Sequence, residues 1–325
     1  MEVALGGKHS VVCPFMKLIE AQDVYNALIF ASLAPAAWLL PEHAWGVLAR
    51  AWAGAHIALR GPMGGDLGEH PVLLACNESP YVLERSILAG KYEEILQMLR
   101  EHRPGGWNGS IRLLGFQHLE RALDSKRGAV LWVAPCIFAE LNVKKALHAA
   151  GYRVSNLRSH IHPFSGTRFG RAILNPVRTS VEDRLLASTV VLRPGNATTV
   201  LCELQDRLRE NDLVYITANS DGDRPCRLPF LGGTLSLALG AATLARIARA
   251  PLLPVFASPA YAGVYEVEVQ AALEPAESLV ARRYDEHLAA AYAARLEAFV
   301  KRQPNTWPGW FNRRQWAPLR VTVQS

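Results

Sequence analysis

Residues 128–134 read GAVLWVA, and Pro135 follows them directly. A continuous apolar run of this length, without polar alternation, suits a strand buried on both faces. Working outward from it, residues 138–149 predict a helix and 152–157 a strand. Further on, 189–192 predict a strand and 198–209 a helix. Residues 213–218 (LVYITA) form a second buried run, 235–249 a helix rich in small residues, and 252–256 (LLPVF) another strand. Residues 265–269 (YEVEV) alternate strictly, which predicts a half-exposed strand nearer an edge, and 285–300 form an amphipathic helix. Strands alternating with helices imply an α/β fold: a mostly parallel central sheet flanked by helices.

Upstream the pattern is helical. Residues 72–102 carry apolar side chains at helical spacing and end at Pro104-Gly105-Gly106, the expected boundary between a helical region (1–107) and an α/β domain (108–325). Residues 25–45, YNALIFASLAPAAWLLPEHAW, hold no charge before Glu42. Their apolar part falls short of the roughly 20 residues of a perpendicular span, and Pro35 interrupts it. An interfacial or half-inserted anchor fits, with Trp38 and Trp45 at headgroup level; the alternative is a buried hydrophobic hairpin. Residues 1–20 include Lys8, His9 and Glu20 and make a poor signal peptide.

The chain has 325 residues, is 50% hydrophobic and carries a formal net charge of +6, so acidic partners are favoured without choosing among them. Cys13, Cys76, Cys136, Cys202 and Cys226 are scattered with no C-x-x-C pair, which argues for reduced thiols rather than a disulfide framework or a thiolate metal site. There is no GxSxG elbow, phosphate-binding GxxxxGK[ST] loop, HExxH helix or RNP-like aromatic motif, so no nucleic acid is expected.

In parallel α/β sheets chemistry gathers beyond the carboxyl ends of the strands. Three ends carry candidates: Ala134-Pro135, with Glu140 beyond it; Leu157-Arg158, with His160, His162 and Arg168 beyond it; and Ala218-Asn219, with Asp221 beyond it. Cys136, if it sits at a helix N-terminus, is a candidate low-pKa thiol, or else a small buried hydrophobe. Pro135 would suit a helix start.

The stretches 111–135 (IRLLGFQHLERALDSKRGAVLWVAP), 228–256 (LPFLGGTLSLALGAATLARIARAPLLPVF) and 302–316 (RQPNTWPGWFNRRQW), with LLPEHAW at 39–45, resemble the late lipid A (lauroyl/myristoyl) branch of the lysophospholipid acyltransferase superfamily. The resemblance implies fatty acyl transfer from a thioester of acyl carrier protein or coenzyme A to a glycolipid or lysolipid, with no cofactor or metal, at the cytoplasmic face of the inner membrane. The family's signature is His-x-x-x-x-Asp/Glu after the first long strand, where the imidazole takes the acceptor's proton. Here Glu140 stands at the carboxylate position and Pro135 at the histidine's, and no other histidine has Asp or Glu at that interval. The sequence therefore offers His160 or His162 as a replacement base beside Glu140, or a catalytically silent lipid-binding or partner protein on the same scaffold. By the resemblance Arg158 and Arg168 bind the acceptor's anionic group; as bare residues they equally suit a solvated basic face. Asn219, where the branch usually has Asp, and Asp221 would shape the pocket, and Gly232 in PFLGG would allow close backbone approach to a ligand.

Overall fold

The computed structural model describes residues 17–62, 78–159, 164–221, 225–261, 263–274 and 281–318. His160 and His162, with Cys13 and Cys76, lie outside these residues.

Three helices come first: α1 (Ala21–Leu39), α2 (Trp45–Arg60) and α3 (Pro80–Arg100). Helix α1 continues through Pro35. Helix α3 begins where its sequence asks: Ser79 caps the Val82 N–H, and Pro80 fills a first-turn position that lacks a hydrogen-bond acceptor anyway. Trp38 is 41% exposed, whereas Trp45 is buried with Arg100 stacked 5.0 Å from its ring. The expectation that Trp45 faces headgroups is thereby corrected; the buried face of α2 claims it. Among the described residues no helix is long and apolar enough to cross a membrane.

The central sheet follows: β1 (Ser110–Leu114), β2 (Ala129–Val133), β3 (Val154–Ser159), β4 (Ser188–Leu192), β5 (Leu213–Thr217), β8 (Leu252–Tyr261) and β9 (Val264–Val269), in the order β1-β9-β8-β2-β5-β3-β4. The strands β8, β2, β5, β3 and β4 run parallel, while β9 and β1 run the other way as a parallel pair of their own. The α/β class with a mostly parallel sheet flanked by helices is thus observed. Strand β2 lies in the middle with every residue buried, as its unbroken apolar run requires. Alternating strand β9 lies one place in from the edge.

Between and after the strands come α4 (Phe116–Asp124), α5 (Ala139–Ala149), α6 (Asn175–Leu185), α7 (Ala197–Arg209), α8 (Gly240–Ala248) and α9 (Ala281–Arg302). A helix across all of 235–249 is not formed. Residues Gly233–Leu237 are strand β7, paired antiparallel with β6 (Cys226–Phe230) and β10 (Trp316–Pro318) in a small second sheet, and the helix begins only at Gly240. Leu235 and Leu237 fall on one face of that strand, so tertiary burial of alternate leucines overrides a composition that favours helix.

Side-chain alternation along the sheet fixes what covers each face. Trp132 stacks on Tyr292 of α9 with centroids 4.3 Å apart. Leu131 and Val133 point the other way, in register with Tyr215 and Thr217 of β5. Both β5 residues meet α5, so α5 and α9 cover opposite faces.

Candidate active site

The turn after β2 decides where Glu140 goes. Helix α5 begins at Ala139, so Pro135 lies in the connecting turn rather than at a helix start as expected. Phe138 holds a left-handed backbone (φ 70°), uncommon for a bulky residue and worth a stated cause. Three contacts hold the turn. The Ile137 N–H donates to the Thr306 carbonyl at 2.8 Å, Phe138 packs 4.9 Å from Tyr265, and Gly90 of α3 admits Ile137, whose side chain would lie 3.0 Å from a Cβ there. The tail also braces the neighbouring strand end, since the Gln315 carboxamide donates to the Ala218 carbonyl at 3.3 Å. Its tryptophans are packing rather than surface: Trp307, Trp310 and Trp316 are buried and meet edge to face.

Glu140 therefore projects from the first turn of α5 over the end of β5, where the Thr217 hydroxyl donates to its Oε1 at 3.0 Å. One turn on, Lys144 reaches Glu140 Oε2 at 3.0 Å and lies 4.8 Å from the Tyr215 ring centre. The repeat is geometric: four helical residues advance about 6 Å and two strand residues about 6.6 Å. Lys144 is 1% exposed and also donates to Glu182 of α6 at 2.9 Å. Arg178 closes the ring, with Nε 2.9 Å from Glu182 and a terminal nitrogen 3.3 Å from Glu140. Two cations thus face two carboxylates, the arrangement in which buried charge becomes tolerable. Burial alone would lower the Arg178 pKa, but Glu182, Glu140 and Glu94 outweigh it and hold the guanidinium firmly protonated.

A cavity of about 390 Å³ opens beside this ring between α3, α5 and α6. Its charged side is Lys91, Glu94, Arg178 and Glu182; its apolar side is Ile95, Met98, Leu141, Phe164 and Val181. Burial pushes the Glu94 carboxyl upward, Arg178 pulls it down, Glu140 raises it again, and Lys91 and Lys144 lower it, with a net rise.

The expected site residues are distributed unevenly around this centre. Arg158 joins it through α6, lying 3.9 Å from Glu182 and 3.4 Å from Asp183. Arg168 is exposed on the segment before α6, where its backbone N–H donates to the Lys17 carbonyl and neighbouring Thr167 donates to buried Asp23 at 2.7 Å. Asn219 and Asp221 close a short turn on each other just beyond Thr217. Asp221 borders a separate groove of about 670 Å³ that carries Arg227, Arg313 and Arg314. Leu231 and Gly232 (φ 48° and 64°) form the two-residue tip of the β6–β7 hairpin, the backbone a primed turn demands, so hairpin closure accounts for that glycine. No hydrogen bond or ion pair among the described residues joins Arg168 or Gly232 to Glu140. Cys136 is buried with its thiol pKa pushed up by burial, which overturns the low-pKa reading.

Residues 164–316 match the model of a family described as bacterial lipid A biosynthesis acyltransferases. This bears out the resemblance seen in the sequence. The matched stretch, a little under half of the chain, holds Arg178, Glu182, Thr217, the β6–β7 hairpin and the tryptophan tail; Pro135 and Glu140 precede it. No curated protein matches the chain.

Sequence reasoning missed Lys144, Glu182, Thr217, Lys91 and Glu94. Part of the signal was present: Glu140/Lys144 and Arg178/Glu182 are each opposite charges four residues apart on helices. That pattern is usually a solvated surface pair, so it does not stand out.

Proposed function

We propose that this protein is an acyltransferase that moves a fatty acyl group from an acyl carrier protein or coenzyme A thioester to a hydroxyl of a glycolipid or lysolipid at the cytoplasmic face of the inner membrane. The observation that carries this reading is the amphipathic cavity beside the Glu140–Lys144–Glu182–Arg178 ring, at the carboxyl ends of β2 and β5. Its apolar side suits a hydrocarbon chain and its cationic side an anionic or polarised oxygen. Glu140 orients Arg178 and Lys144 rather than acting alone. Arg158, Arg168, Asn219 and Asp221 are the acceptor-binding candidates, with Gly232 beside them in the family pattern. Read alone, the sequence offers His160 or His162 for the role of base. Leu28, Leu39, Val47 and Leu59 on α1 and α2 are exposed and support contact with a lipid surface.

One observation favours a second reading, a lipid-binding or partner protein without catalysis: Pro135 occupies the position at which the resemblance places the imidazole. A single assay separates the two. Full-length protein in detergent is given mixed acyl thioesters and lysolipid acceptors, and thiol release and acylated product are followed together. Turnover that falls at least tenfold in Glu140→Gln is expected; an intact thioester pool alongside bound lipid would establish the second reading instead. Transfer to an amine of a specialised metabolite would show as thiol release that requires an amine acceptor.

A further inference from the structure

We infer that Glu94 is the general base of this protein, standing across the cavity from Arg178 in place of the missing imidazole. The inference rests on the acyltransferase reading above. Three observations converge on it. Glu94 lines the amphipathic cavity together with Arg178 and Glu182. Among the described residues it makes no hydrogen bond or ion pair, although Glu182, which also lines the cavity, and Glu140 beside it each take several. It is half-buried and borders the space a substrate would enter. A carboxylate already saturated by cations cannot accept a proton readily; one left open beside a cavity can.

The charges facing Glu94 come from each neighbouring helix: Lys91 on its own α3, Glu140 and Lys144 on α5, and Arg178 and Glu182 on α6. The net upward displacement of its pKa brings it toward neutrality, where a base works best. The step balances simply. The acceptor oxygen bonds to the thioester carbonyl carbon as its proton passes to the Glu94 carboxylate, and Arg178 faces the charge that develops. The C–S bond then breaks, and the proton moves from Glu94 to the departing thiolate, leaving ester, thiol and the original carboxylate.

The test compares parent, Glu94→Gln and Glu94→Asp, with dodecanoyl-coenzyme A and a lysophospholipid in mixed micelles, across pH. Glu94→Gln is expected to lower kcat about 100-fold with little change in KM, the usual contribution of a base, and to abolish the rise of rate with pH on the acid side. Glu94→Asp should keep that rise at reduced kcat. Thermal unfolding no earlier than the parent's confirms that Glu94→Gln is folded. A Glu94→Gln protein with the parent's kcat and pH profile overturns the role of Glu94 while leaving acyl transfer standing. A parent that releases no thiol overturns both.

Discussion

Two walls of one cavity treat their carboxylates in opposite ways. On the α5–α6 wall, Glu182 accepts from Lys144 and Arg178 at 2.9 Å each, and just behind it Glu140 accepts from Thr217, Lys144 and Arg178. On the α3 wall, Glu94 has only longer-range charges for company. The first wall is scaffold: its charges are mutually neutralised, and removing one partner strands another in a dry setting. The second is reactive: no hydrogen bond or ion pair among the described residues holds the anion, and burial outweighs the pull of Arg178, Lys91 and Lys144 to raise its pKa. Saturated carboxylates position; unsaturated ones react.

The largest effect should come from breaking the scaffold wall. Lys144→Met leaves buried Glu182 with a diminished countercharge and should cost about 3–5 kcal/mol of unfolding free energy in urea. A loss below about 1 kcal/mol, the worth of an exposed pair, would mean that water reaches the ring and that the two walls do not differ. Next, Pro135→His placed in the Glu94→Gln background should recover about 100-fold in turnover, since it supplies a base at the carboxyl end of β2. No recovery would separate the position of Pro135 from the reacting atoms. The smallest effect concerns the reactive wall alone. Because the folded-state pKa of Glu94 is raised above its ordinary 4.5, the folded protein binds the extra proton more tightly than the unfolded chain does. Stability from this group is full below about pH 4.5 and is lost as pH rises through the higher folded value. Glu94→Gln should therefore flatten that part of the stability–pH curve, and an unchanged curve would contradict the environment described for α3.

Much of the fold was legible because burial on two faces leaves an unmistakable mark. GAVLWVA and LVYITA are central strands, YEVEV lies near an edge, and the stripe of α9 that begins at Leu288 packs inward. The stretch around Leu235 was not, since small and branched apolar residues suit helix or strand alike until a partner strand claims them. Trp45 shows the same limit: its amphipathic ring fits an interface or a core, and only the packing of α2 chose the core.

By itself the sequence determined the α/β order, the family likeness, Glu140 beyond β2 and the absence of histidine from position 135. Those are local facts, carried by periodicity and spacing along the chain. Tertiary structure alone decided that Lys144 and Arg178 would converge on Glu140 and Glu182, that Arg158 would be drawn to α6, and that Glu94, 46 residues before Glu140, would face the same cavity. Charge pairing and cavity lining depend on distances across the fold, and these exist only once the three N-terminal helices have packed on the sheet domain.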